Sequence, residues 1–210
     1  MEISTGDRDL RALFVDIVIA NETIRALTDR LVELGLPDCY VAAGCLCQTV
    51  WNHISGLPLS HGITDYDIFY CDLSDLSWEG EDRVIRRCAA AFADLDADVQ
   101  VRNQARVHLW YPEKFGVPQE PLLSTREGID GFLTRCSAHG LRKAASGYDV
   151  YAPFGFDDVF AMVVRPNYVH DLPLQYQEKA DRWKQAWPRI AIMPWARSAR
   201  FGGSGEEALQ

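Results

Sequence analysis

Cys39-Tyr-Val-Ala-Ala-Gly-Cys45, followed further on by Asp65-Tyr-Asp-Ile-Phe-Tyr-Cys71, is the stretch that decides the fold. Its first segment reads as a short buried strand, Cys39 to Ala43, closed by Gly44. Cys45 to Ser55 then reads as helix, because Leu46, Val50 and Ile54 recur at i, i+4 spacing. Gly56-Leu-Pro58 stops that helix. The second segment alternates and is rich in aromatic residues, which predicts a strand from Asp65 to Cys71.

Working outward, Asp7 to Leu36 carries Leu10, Leu13, Val15 and Ile19, then Ile24, Leu27, Leu31 and Leu34, at helical spacing. This predicts two helices, or one with a break, ended by Gly35 and Pro37. Ser77 reads as an N-cap with Glu79 and Glu81 in the first turn, and Ile85, Cys88, Phe92 and Leu95 mark one face of the helix that follows. Asp98 to Leu109 has a period of two. Asp98, Gln100, Arg102, Gln104, Arg106 and His108 share one parity and a mostly apolar set shares the other, which predicts a half-buried strand with a polar face, open to an interruption near Asn103. Tyr111 to Arg126 reads as loop, Glu127 to Phe132 as a short helix and Tyr148 to Ala152 as a strand after the Ser146-Gly147 turn. Phe156 to Val164 reads as a short helix ended by Pro166, and Gln175 to Trp187 as a last amphipathic helix. Strands alternating with helices predict an α+β fold, a mixed sheet flanked by helices. The expected organisation is a helical segment over residues 1–36, a domain over 37–195 and a disordered tail over 196–210.

The bulk numbers narrow the classes. The chain has 210 residues, 48% of them hydrophobic and 24% charged, as in an ordinary soluble domain. A formal net charge of −9 and the lack of a long Lys/Arg run argue against extended nucleic-acid binding, which needs a basic face. A nucleotide is still admissible, since its few phosphates need only a metal ion and one or two cations. No apolar run reaches the ~20 residues of a membrane span. The polar start, Met1 to Asp9, does not read as a signal peptide. Of the six cysteines, Cys45, Cys47, Cys71 and Cys88 lie in apolar segments without paired C-x-x-C spacing. They read as buried reduced thiols of a cytoplasmic protein.

Three features in order suggest chemistry. At Ala43-Gly44-Cys45, Gly44 lets the backbone approach a phosphate, and the helix beginning at Cys45 offers free N–H groups. Asp65 and Asp67, two residues apart in a strand, point to one face and repel unless a cation or a proton intervenes. Mg2+ suits such a pair, and Mn2+ could replace it. Taken alone, the D-x-D pair is read as a turn cap beside a solvated carboxylate; after the Gly44-Cys45 turn it gains the reading of a metal site. On the polar parity of the next strand, Arg102 and Arg106 could hold phosphates, with Gln104 among the hydrogen-bonding groups and His108 able to bind or shuttle a proton. His53, His61 and His139 read as surface or turn residues, Trp51, Trp183 and Trp187 as packing residues, and Asp157 and Asp158 as helix caps with a substrate role still open.

In this order the motifs resemble the nucleotidyltransferase (DNA polymerase beta-like) superfamily. More narrowly, the chain is similar to an uncharacterised bacterial nucleotidyltransferase family within it. The resemblance lies in Tyr40-Val-Ala-Ala-Gly-Cys45, Thr49-Val-Trp51, Asp65-Tyr-Asp67, Asn103-Gln-Ala-Arg-Val-His108, Ala152-Pro-Phe-Gly-Phe-Asp-Asp158 and Arg165-Pro166. It implies transfer of a nucleoside monophosphate from an NTP to an unidentified acceptor hydroxyl. It also implies a third carboxylate on the neighbouring strand, for which Asp98 stands on the right parity while Gln100 holds the more central position. Asp65, Asp67 and Asp98 are then the catalytic, metal-binding set. Gly44, Cys45, Arg102, Gln104, Arg106 and His108 are the nucleotide-binding set. Cys47-Gln48 and Asn52 stand where the family tends to carry Arg-Asn and Asp. These departures motivate a competing expectation: a non-catalytic nucleotide-binding or interaction protein on the same fold.

Overall fold

A computed structural model describes residues 5–196. Two helices open it, α1 (Thr5–Ala20) and α2 (Glu22–Leu34). The break between them is Asn21, whose side-chain oxygen accepts from the Thr23 and Ile24 N–H groups and so caps α2. Gly35, at φ 60°, ends α2 in the left-handed conformation. Then follow β1 (Tyr40–Ala42), α3 (Gly44–Ser55), β2 (Tyr66–Tyr70), α4 (Trp78–Ala91) and β3 (Val99–Asn103). Ser77 caps α4 by accepting from the Gly80 N–H, as its sequence predicts.

These strands form a mixed five-stranded sheet of order β3-β2-β1-β4-β5, with β4 at Gly140–Ala144 and β5 at Gly147–Tyr151. Only β2 and β3 run parallel, as the α4 crossover requires; the other neighbours are antiparallel. β2 buries Tyr66, Ile68 and Tyr70 and turns Asp67 and Phe69 to the other face. The sequence reading does not anticipate β4: Leu141 is its one buried branched side chain, so it shows no alternation. A two-residue link, Ala145-Ser146, joins it to β5, and Gly147 supplies the positive φ of 113°.

The main core draws on both layers. Phe14, Ile17, Val18, Ile24 and Leu27 of the first two helices pack in the same cluster as Trp51, Trp183 and Trp187. The last helix, α8 (Pro173–Ala186), carries Tyr176, Ala180 and Trp183 on its buried face. His139 differs from the expected surface position. It is buried between Phe14 and Phe156, donates from Nε2 to the Gly155 carbonyl, and burial lowers its pKa to about 4. Residues 197–210, most of the expected tail, lie outside the described residues. No helix among the described residues is long and apolar enough to cross a membrane.

The largest departure follows β3. The strand expected to reach Leu109 stops at Asn103, and the chain turns through a single 3-10 turn, Gln104–Arg106, into α5 (Val107–Phe115). Asn103 causes the stop, because its side chain competes with the strand ladder. The Asn103 side-chain oxygen accepts from the Asp72 and Ala105 N–H groups, while its Nδ2 donates to the Asp72 carbonyl. The Glu81 carboxylate accepts from the Asn103 N–H and pairs with the buried Arg106, whose Nε donates to the Leu76 carbonyl. Arg106 is therefore a structural cation and not a member of a polar strand face. His108 lies in the first turn of α5, half-buried with no hydrogen-bond partner at Nδ1, and also leaves that face. The expected loop from Tyr111 is likewise helical as far as Phe115. The helix expected from Phe156 to Val164 is shorter, α7 (Asp157–Phe160). It is followed by β6 (Val163–Val164), which pairs with β7 (Ala191–Ile192). α6 (Thr125–Asp130) completes the set.

Removing one partner of a buried ion pair leaves an uncompensated charge. Arg106→Ala is expected to lower unfolding free energy by about 3–5 kcal/mol in urea titration. Arg102→Ala, at an exposed position, is expected to change it by less than about 0.5 kcal/mol. Equal effects would show that the two arginines share one environment.

Candidate active site

The turn between β1 and α3 is strained. Ala43 has φ 68° and ψ −143°, a region that side chains other than glycine rarely adopt. Its N–H donates to the His139 carbonyl at 3.3 Å, which ties the turn to the strand end beside it. No side chain caps α3, so the free N–H groups of its first turn remain available to an anion. A Cβ at 44 would crowd the folded-back Gln48 amide nitrogen, at 3.3 Å, so glycine leaves room there for that side chain. The Cys45 thiol turns inward and donates to the Ala42 carbonyl, so Cys45 can offer a substrate only its backbone.

Beside this turn stand the two carboxylates. Asp65 precedes β2 and accepts from the Thr64 hydroxyl at 2.9 Å; Asp67 lies within the strand. Both line the same cavity, so they share a face as their spacing predicts. Parallel register sets Asp67 opposite Gln100. The Asp67 pKa is raised to about 6, first by burial and then by repulsion from Asp65; Lys179 and Arg102 oppose the rise, and Asp98 adds slightly to it. A carboxylate in this state lacks a full positive counterweight.

Asp98 is the expected third carboxylate. It sits one residue before β3, is exposed, and accepts weakly from the Gln100 amide at 3.4 Å. Among the described residues, no three His, Cys, Asp or Glu side chains group closely enough to hold a metal ion. The strand position directly beside Asp67 belongs to Gln100, which brings no charge.

Asp67 lines two cavities. One, of about 120 Å3, is bounded by Gly44, Gln48, Asp65, Lys179 and Arg182. The other, of about 300 Å3, has Phe69, Trp110, Tyr111 and Phe132 among its apolar walls and Gln100, Arg102 and Gln104 among its polar ones. Of the sequence-predicted residues, Gly44, Asp65, Asp67, Arg102 and Gln104 are thus brought together. Arg106 and His108 line neither cavity.

Sequence reasoning missed Lys179 and Arg182. They are three residues apart on α8, so they share one helix face, and neither takes part in an ion pair among the described residues. The only signal in the sequence is that spacing, which is common on solvated helices. The tryptophan packing beneath them places them at the carboxylates.

The donor set fits a hard divalent cation. Two partly buried carboxylates on one face supply charged oxygens, and Mg2+ binds through one or two carboxylates completed by water and substrate phosphates. Asp65 and Asp67 are the residues that would hold it.

The comparisons with known proteins bear on the family and the fold. Residues 29–192 match the family described as "Nucleotidyltransferase". A search of curated proteins found no match. Among solved structures, the chain resembles an NMR structure said to reveal a CCA-adding enzyme head domain. The two agree with a TM-score of 0.72 at 22% identity, over 86% of this chain and 94% of that one. At this identity the likeness establishes the fold, while the sequence match covers most of the chain, including the β1–α3 turn and both carboxylates. This protein is a member of the nucleotidyltransferase family, built on a mixed sheet flanked by helices.

Proposed function

We propose that the protein transfers a nucleoside monophosphate from an NTP to an acceptor hydroxyl and releases pyrophosphate. The observation that carries this reading is the meeting of two unlike cavities at Asp67, one bounded by cations and a helix N-terminus, the other by aromatic rings. The triphosphate tail suits the smaller cavity. There the α3 N–H groups receive phosphate oxygens and the Lys179 and Arg182 charges offset theirs. Asp65 and Asp67 hold the cation, with no third carboxylate needed if substrate and water complete its shell. A bound Mg2+ would polarise the phosphoryl group and lower the pKa of the acceptor hydroxyl. Arg102, exposed at the mouth of the larger cavity, can offset charge as the pyrophosphate separates.

The presence of Gln100 beside Asp67 favours a second reading, a nucleotide-binding protein without turnover. Incubation with NTP labelled at the α-phosphate, Mn2+ and candidate acceptors separates the two. Covalent label on an acceptor supports transfer; saturable binding without product supports the second reading.

Lys179→Ala is expected to weaken Mn2+–ATP binding by about 1.5–3 kcal/mol in calorimetry, the range for hydrogen bonds to charged groups. Arg182→Ala should act in the same direction with a smaller effect, because it is more exposed. Unchanged affinity in both folded variants removes the phosphates from this cavity.

Asp67→Asn is expected to weaken Mn2+ binding at least tenfold and also to change the metal-free protein. An ionised carboxylate whose folded pKa, about 6, exceeds an unfolded value of about 3.9 costs stability. That cost is absent below about pH 4 and complete once pH has risen past about 6. The variant should therefore melt higher than wild type at pH 8 without metal, with the gap closing on acidification toward pH 4. A lower melting temperature at pH 8 would mark Asp67 as a structural residue.

A further inference from the structure

We infer that the larger cavity is the acceptor site and that it takes a small, uncharged, flat aromatic alcohol or phenol, not a nucleic-acid end. This inference rests on the proposed transfer reaction. In an in-line displacement at phosphorus, the attacking oxygen enters opposite the leaving oxygen. If the pyrophosphate leaves on the side of Gly44, Lys179 and Arg182, the nucleophile must enter from the other side of the carboxylates. The larger cavity shares Asp67 with the smaller one and is lined by none of Gly44, Lys179 and Arg182, so it is the cavity open to the nucleophile.

Its chemistry names the class. At about 300 Å3 it matches a compound of one or two fused rings, not a polymer. Phe69 and Phe132 meet edge to face at 5.4 Å, and Tyr111 packs on His170 at 5.0 Å, so rings bound it from two sides. Gln104 supplies the polar handle. It is 3% exposed, and its amide makes one long bond, 3.5 Å, to the Arg102 carbonyl. It fits because residue 128 is glycine; a Cβ there would collide with the Gln104 side-chain oxygen. A buried amide with spare capacity reads a hydrogen-bonding group on an otherwise apolar ligand. The charge at the wall opposes a phosphodiester backbone: Asp67, Glu127 and Asp130 stand against the single guanidinium of Arg102. The net charge of −9 acts in the same direction.

In the transfer, the acceptor oxygen forms a bond to the α-phosphorus and the bond from that phosphorus to the bridging oxygen of the β-phosphate breaks. Pyrophosphate leaves with the bonding pair, and the hydroxyl proton passes to water.

Val169 lines the cavity and is 57% exposed, so a larger side chain there can fill the mouth without disturbing the core. The test uses the full chain, wild type and Val169→Trp. Mn2+–ATP binding is measured by calorimetry. Binding of 2-naphthol, 7-hydroxycoumarin and 6-hydroxyquinoline is followed by saturation-transfer NMR, and α-phosphate label transfer to these phenols is compared with transfer to a twelve-nucleotide RNA with a free 3′ hydroxyl. The expected result is binding of at least one phenol, label on the phenols and not on the RNA, and loss of phenol binding by tenfold or more in Val169→Trp with nucleotide affinity within twofold of wild type. Wild type that binds nucleotide but no phenol, or labels the RNA, overturns the acceptor assignment and leaves the transfer reading standing. Equal loss of nucleotide and phenol binding in Val169→Trp assigns the cavity to the nucleoside and also overturns it. Wild type that binds no nucleotide removes the transfer reading, and the acceptor assignment with it.

Discussion

Trp187 donates its indole N–H to the Asn52 side-chain oxygen at 2.7 Å, and the placement of the site depends on this buried bond. Trp51 packs edge-on against Trp183 and Trp187, at 5.2 and 5.6 Å between ring centroids, and donates its own N–H to the Val159 carbonyl. The Asn52 amide nitrogen donates in the other direction, to the Leu59 and His61 carbonyls, and so fastens the loop that leads to Asp65. One side chain thus joins three elements: α3, whose first turn borders the site, the approach to β2, and α8 with its cations. A buried amide with donor and acceptor both used is costly to break, because each abandoned partner keeps its desolvation penalty. An aspartate at 52 could accept from Trp187 but could not donate to the two carbonyls while ionised, so Asn52 suits this arrangement.

A second network shapes the larger cavity. By stopping β3, Asn103 sends the chain into α5, and Val107, Trp110 and Tyr111 of α5 become cavity walls. Glu81 of α4 holds this corner by accepting from the Asn103 N–H and pairing with Arg106. The Asn103-Gln-Ala-Arg106 block therefore divides its work. Asn103 and Arg106 build the corner, Ala105 is buried within it, and Gln104 is the member that reaches the cavity.

Electrostatically, three cations without ion pairs among the described residues stand where carboxylates crowd. Asp65 and Asp67 repel across a partly buried face, and Lys179, Arg102 and Arg182 approach from two elements without forming close ion pairs. A fully paired carboxylate would gain little from a divalent cation; one left short of positive charge gains more. The strained Ala43 and the uncapped α3 are costs of the same kind, carried where a phosphate would repay them.

Local pattern determined much of this protein. The apolar spacing of α2, α3 and α4, the alternation of β2, the Ser77 cap and the shared face of Asp65 and Asp67 are short-range properties. Helix and strand periods expose them directly. The Gly44 turn and the D-x-D pair were legible for the same reason. Tertiary structure alone decided the rest. The sequence left a break near Asn103 open, and the strand ends there because Asp72 and Glu81, distant in sequence, offered its side chain and backbone buried partners. That reversal turned Arg106 from a phosphate ligand into a structural cation and removed His108 from the face. Lys179 and Arg182 became site residues only when Trp183 and Trp187 seated α8 against Trp51. Parallel register set Gln100, not a carboxylate, directly beside Asp67 and left Asp98 exposed one residue before β3. Each of these outcomes turns on a partner far away in the chain, and a periodic pattern carries no record of which distant residue will fill that place.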